Sequence, residues 1–416
     1  MKEFYEPMLY LSTPEHPNTM SVVAELKEPI DGAILKAVVD ELCVRFPYFY
    51  VKAVAKDNDV YTEPNPLPMT VRNTWEPINF NSQQSNYHLA AWKYEGTRLA
   101  LEMSHSISDG AGVLPYVKST LYLYLCRKTG LALDPAGIRL PGEVIPQSET
   151  GNPFAGLDID GAKEPMYTKQ PTQDFYRVKV EGAPEPQVHC IRIAESELIQ
   201  YCRDFDGSPN AMIAVLLARA ARAYDPDNEK TVTVSVAIDH KAMLGSRDNY
   251  RMFANIIELD FPKSRSLDDL LKSCTVARGQ MMLQAQPENS LWAMKNRKLT
   301  YAKLGQLPLD VKLNVLAKSA GSARWTFSVS YVNSRSFGSV DPYLEAVYVI
   351  AEPGVFDIGC EIFCNDHNFV VTILQSFTAD RFVEIFLNEL SSVGIDYELL
   401  HQEPLRLCGI EPFSEN

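Results

Sequence analysis

Leu99-Ala100-Leu101-Glu102-Met103-Ser104-His105-Ser106-Ile107-Ser108-Asp109-Gly110-Ala111-Gly112 carries the chain from a strand into a helix, and the junction holds chemically useful residues. Upstream, Tyr87 to Tyr94 and Arg98 to Ser104 read as two strands joined by the turn Glu95-Gly96-Thr97, a hairpin signature. Downstream, Gly110 to Lys128 reads as a helix with Val113, Leu114, Val117, Leu121 and Leu125 on one face, stopped by Gly130. His105 therefore leaves a strand end, a position that aims a side chain into a crevice. Asp109 sits where the helix starts, as a natural N-cap, and is also placed to brace the loop through an ion pair. Gly110 permits a tight turn or the close approach of another segment. A lone loop histidine is often structural; the hairpin, the following helix and the small neighbours single this one out as a candidate base. Histidine also titrates near neutral pH.

Working outward, the 416 residues exceed what one hydrophobic core organises, so two lobes are expected. We expect a first lobe over 1–140, a linker over 141–187 rich in Pro, Gly and acidic residues, and a second lobe over 188–416. In the first lobe, Met20 to Leu26 reads as a strand, and a helix follows with Asp31 as N-cap and Pro47 beyond its end. In the second, His189 to Ile193 reads as a strand and Glu195 to Phe205 as a helix. Ser208-Pro209 then opens an apolar helix through Tyr224. Thr231 to Ile238, Phe327 to Val332, Ala346 to Ala351 and Phe369 to Leu374 read as strands. Ser266 to Gln284 and Thr378 to Ser391 read as helices, Asp366-His367 as a hairpin turn, and Phe356 to Gly359 as a simple turn. Both lobes mix helices and strands, so the class is α/β (α+β).

A net charge of −14 disfavours a nucleic-acid groove. The eight scattered cysteines read as reduced thiols, Cys360 and Cys364 lying on a strand rather than at a zinc site, so no metal is expected. Neither a signal-peptide core nor an apolar run long enough to span a bilayer is present, and the expected location is cytoplasmic.

The run Leu99 to Gly112 resembles the HHxxxDG region of the condensation-domain superfamily, here written SHSISDG. That superfamily includes nonribosomal peptide condensation domains, plant BAHD acyltransferases, alcohol acetyltransferases and chloramphenicol acetyltransferase. The resemblance extends over nearly the whole chain: Leu35 to Pro47 looks like its first helix, Ser208 to Ala223 like its buried second-lobe helix, and Ser235 to Lys241 like the strand after it. Tyr331 to Gly338 falls where the family has a turn near its channel. The motif ends the first quarter of the chain, which fits the free-standing condensation and alcohol acetyltransferase branch. Three departures stand out. Ser104 replaces the first His of the doublet, the plant DFGWG motif is absent, and the strand that often ends in Arg ends here in Lys241, with Arg247 and Arg251 downstream.

The resemblance implies two chloramphenicol-acetyltransferase-like lobes with a channel between them. A thioester donor, acyl-CoA or a phosphopantetheine-carried acyl group on a carrier protein, would enter from one side. An alcohol or amine acceptor would enter from the other, and His105 would take its proton. No bound cofactor is implied, and the setting would be natural-product or lipid biosynthesis. Asp109 would pair with Lys241 or Arg251, and Ser104 would widen the acceptor side. The rival reading is an inactive relative that binds a carrier protein or a lipid-like ligand. His240, beside Asp239 at a strand end, reads more readily as a satisfied structural histidine.

Overall fold

The computed structural model describes residues 7–12, 16–241, 244–320, 324–353 and 356–411. The first half of the chain forms β1 (Thr19–Leu26), α1 (Gly32–Leu42), β2 (Val51–Lys56), β3 (Asp59–Pro64), β4 (Val71–Asn73), β5 (Ala90–Glu95), β6 (Arg98–Ser104), α2 (Gly110–Thr129) and the single turn α3 (Gln147–Thr150). The second half opens with β7 (Gln187–Ala194), α4 (Glu195–Asp204), α5 (Pro209–Tyr224), β8 (Val232–Asp239), β9 (Ala254–Phe261), α6 (Leu270–Gln284), α7 (Pro287–Leu304) and α8 (Leu309–Ala320). It closes with β10 (Phe327–Arg335), β11 (Leu344–Ala351), β12 (Ile358–Asn365), β13 (Asn368–Gln375), α9 (Arg381–Ser392) and β14 (Glu398–Pro404).

These strands build two large sheets, ordered β11-β1-β6-β5-β4 and β14-β7-β13-β12-β10-β8-β9, with β2 and β3 as a separate hairpin. In the first sheet, Met20, Val22, Leu99, Leu101 and Met103 point to one face, where they bury against α1 and α2. Asp31 caps α1 by accepting from the amides of Ala33 and Ile34, and Leu35, Val38, Val39 and Leu42 form its buried stripe. In the second sheet, Val232, Val234, Val236, Cys360 and Ile362 face α5, which is buried nearly all round. Ser208 caps α5 and Pro209 occupies its first turn. The sheet is mixed, because β10 runs parallel to both β8 and β12 while its other pairings are antiparallel.

Strand β11 comes from the second half of the chain yet edges the first sheet, pairing with β1 from Met20↔Ala351 to Leu26↔Leu344. The opposite face of the first sheet, with Val23, Ala100 and Tyr348, packs on Val188, Cys190 and Val370 of the second. The two sheets are therefore joined by a shared apolar layer as well as by the crossing strand.

Two local expectations are corrected, and one stretch gains elements. The strand expected from Tyr87 begins at Ala90, because Asn86 and Tyr87 both take left-handed backbone (φ 49° and 64°) in a turn. Ile358 and Gly359 already belong to β12 rather than to a turn. Helices α7 and α8 occupy a stretch to which no element was assigned; α7 buries only Ser290, Met294 and Tyr301, too narrow a stripe to stand out in a polar sequence. The Asp366-His367 turn forms as expected, with φ of 44° and 65° between paired Asn365 and Asn368.

Candidate active site

In the run 101–110, His105 is the one residue that is not buried. Its backbone N–H bonds the Asn18 carbonyl at 2.8 Å, which ties the end of β6 to the entry of β1. Its ring Nδ1 lies 2.9 Å from the Ser108 carbonyl oxygen. A carbonyl only accepts, so in the neutral ring this contact places the hydrogen on Nδ1 and leaves the lone pair on Nε2. The side chain is thus both oriented and set in one tautomer by its own loop.

The loop in turn is held by the second half of the chain. The Ser108 hydroxyl donates to the Tyr250 carbonyl at 2.5 Å. Asp109 caps α2 by accepting from the Gly112 amide at 2.7 Å; its other oxygen accepts from the Phe253 amide at 3.1 Å. The Lys241 ammonium reaches Asp109 Oδ1 at 2.6 Å, and Lys241 is only 1% exposed. Of the cations considered from the sequence, Lys241 therefore stands at Asp109, while Arg251 lays its guanidinium over the Tyr250 ring at 5.0 Å. N-cap and ion-pair roles coexist in Asp109.

Two glycines let the halves approach. A Cβ on Gly110 would lie 2.5 Å from Val332 Cγ2 of β10, and one on Gly112 would lie 2.2 Å from the Tyr250 carbonyl oxygen. Neither position has room for a side chain as the backbone stands. Further out, Tyr250 stacks on Tyr48 with ring centroids 4.1 Å apart, and its amide donates to the Glu149 carbonyl. Glu149 bonds Arg45 at 2.7 Å, Arg139 at 2.8 Å and the Tyr48 hydroxyl. Burial alone would raise the Glu149 carboxyl, but hydrogen bonds from Arg45 and Tyr48 hold it below its ordinary value.

Ser104 is fully buried, and its hydroxyl bonds the Ser106 hydroxyl at 2.8 Å. That bond braces the loop from within. His240 is also buried and bonds Ser290 Oγ through Nδ1 at 2.9 Å. Burial, and then the charge of Arg297, pushes it down to about 4, so it is neutral at physiological pH. Tyr250, Phe253, Glu149, Asn18 and Val332 were not singled out from the sequence. Most lie far from the motif in the chain and act through backbone atoms, which leave no mark on residue type.

A cavity of about 220 Å³ lies elsewhere, between the first sheet and residues 403–407. It is lined by Trp75, Lys93, Arg98 and Arg406 among others, and does not include His105. Its charges are paired internally, Lys93 with Glu102, Arg98 with Glu403 and Arg406 with Glu76, so we read it as a structural seam. Among the described residues, no helix is long and apolar enough to cross a membrane.

Neither a protein-family model nor a curated protein sequence matches the chain. Solved structures do match. Polyketide synthase associated protein 5 from Mycobacterium tuberculosis superposes with a TM-score of 0.60 at 13% identity, covering 93% of this chain and 96% of that one. The epimerization domain from the third module of tyrocidine synthetase B gives 0.56 at 11% identity, covering 92% of each chain. The condensation domain of the Monacolin K polyketide synthase gives 0.52 at 12% identity, covering 90% and 92%. The chain has the condensation-domain fold. Its two lobes, and the mixture of helices and sheets expected from the sequence, follow from that likeness.

Proposed function

We propose that the protein is an acyltransferase that moves an acyl group from a CoA or carrier-protein thioester to an alcohol or amine, with His105 as general base. The observation that carries this reading is the hydrogen bond from His105 Nδ1 to the Ser108 carbonyl. It leaves Nε2 as the base on the one partly accessible residue of an otherwise buried run. In the step we propose, Nε2 accepts the proton of the acceptor O–H or N–H as that atom attacks the thioester carbonyl carbon. The tetrahedral intermediate collapses by breaking the C–S bond, and the imidazolium returns its proton to the departing thiolate. The products are an ester or amide and a free thiol, with no covalent enzyme intermediate.

Asp109 and Lys241 are positioning residues in this scheme. Their ion pair, the Ser108–Tyr250 bond and the Gly112 contact hold the carbonyl that orients the imidazole. Like the free-standing condensation and alcohol acetyltransferase branch that the motif resembles, the protein would use its thioester as co-substrate, with no resident cofactor. The test is incubation with a panel of acyl-CoAs and acylated carrier proteins, with and without alcohols and amines, while free thiol is measured. Thiol release that requires an acceptor supports the reading. Release that is indifferent to the acceptor, or absent throughout the panel, overturns it.

A further inference from the structure

The inner face of the second sheet carries polar groups for which the chemistry proposed at His105 has no use. Along β10, Phe327 and Val329 lie in the second core, so Ser328, Ser330 and Val332 point the other way. Val332 is the residue that abuts Gly110, which makes this the face turned toward the His105 loop. On the parallel neighbour β12, Cys360 and Ile362 lie in the core, and Glu361 stands in register with Ser330. Ser330 and Glu361 thus stand side by side on one face, and both residues are partly accessible. Ser328, one pleat along the same face, has its hydroxyl 3.4 Å from the Cβ position of Gly359. Among the described residues, no Lys, Arg or His is ion-paired with Glu361. Burial pushes its carboxyl up to about 7, as for an acid without a counter-charge.

Two separate lines of contact lead from the His105 motif to the face that carries Glu361. On one side, Gly110 of the motif meets Val332, and Ser330 lies two residues back, about 7 Å along the strand. On the other, the Asn18 carbonyl holds the His105 amide while the Asn18 amide donates to the Glu352 carboxylate at 3.3 Å. The next residue, Pro353, lies 3.5 Å from the Cβ position of Gly359, two residues before Glu361. Both lines start in the motif and end on the face of β10 and β12 that carries the carboxyl and the two hydroxyls.

Resting on the transferase reading above, we infer that Glu361, Ser330 and Ser328 form a subsite for a protonated amine on the acceptor, whose distant hydroxyl or second amine is presented to His105. An alkylammonium carries three N–H donors, and one carboxylate with two hydroxyl oxygens supplies three acceptors. The bound cation provides the counter-charge that the Glu361 carboxylate lacks. A preferred acceptor is thus bifunctional, an amino alcohol or a diamine, rather than a simple alkanol.

Calorimetric titration of the intact protein with 5-aminopentan-1-ol and with hexan-1-ol, without any thioester, tests this. Wild type should bind the amino alcohol about 10-fold to 100-fold more tightly, the range for a hydrogen-bonded charge. Glu361→Gln should bring the two affinities together. If Glu361→Gln does not fold, Ser330→Ala decides, with the preference falling about threefold or more. Equal binding of both probes by wild type, or a folded Glu361→Gln that keeps the preference, overturns the subsite. So does Ser330→Ala with an unaltered preference. Because no transfer is read, amine preference without any acyl transfer in the earlier assay would sink the transferase reading and leave the subsite standing.

Discussion

Replacing Asp109 by alanine removes a carboxylate that accepts from Lys241, the Gly112 amide and the Phe253 amide. Lys241 is 1% exposed and Asp109 8%, so the ammonium would be stranded in the protein interior rather than rehydrated. A buried charge left without its partner costs about 3–5 kcal/mol, and loss of a helix N-cap about 1 kcal/mol more. The expected loss of about 4–6 kcal/mol is a large share of the roughly 5–15 kcal/mol typical of a folded protein. Urea unfolding followed by tryptophan fluorescence should show a much earlier midpoint for Asp109→Ala. The double variant Asp109→Ala/Lys241→Met removes both charges and should recover all but the cap contribution. A single variant within about 1 kcal/mol of wild type, or a double variant no more stable than Asp109→Ala, would refute the claim that this pair holds the loop.

Other consequences follow from the same geometry. Gly110→Ala drives a methyl into Val332 and should cost about 1–3 kcal/mol, partly restored by Gly110→Ala/Val332→Ala in thermal melts. Gly112→Ala should cost more, since its methyl meets the Tyr250 carbonyl, a backbone atom with no rotamer to change. His240 titrates at about 4 when folded against about 6.5 when unfolded, so between those values the unfolded chain binds the extra proton. Stability should therefore fall as pH drops from about 6.5 to about 4, by up to about 3 kcal/mol, and His240→Gln should flatten that slope in urea midpoints compared at pH 7 and pH 4.5.

Elements with a strong local signal were readable before any coordinates. Asp31 and Ser208 announce α1 and α5 through their caps, Gly130 ends α2 with a left-handed φ of 72°, and the Glu95-Gly96-Thr97 turn joins β5 to β6. The loop around His105 was legible for the same reason, because it joins a strand to a helix by local rules. What holds that loop was not. The Tyr250 carbonyl and the Phe253 amide are backbone groups that any residue could supply, and their positions follow from the packing of two sheets. The crossing of β11 into the first sheet is equally silent, since Leu344–Ala351 reads as an apolar strand wherever it pairs. Glu361 was read only as part of a strand, and its meaning depends on which face of the second sheet turns to His105.

The most direct test of the central claim is the initial rate of acceptor-dependent thiol release by His105→Ala, compared with wild type on the donor and acceptor that wild type uses best. The side chain is partly accessible, and the Ser108 carbonyl it contacts belongs to a loop held independently by Tyr250, Phe253 and Lys241. The urea midpoint should therefore be unchanged while the rate falls by about 10²- to 10⁴-fold. A folded His105→Ala protein that turns over at the wild-type rate would contradict the assignment of His105 as the base.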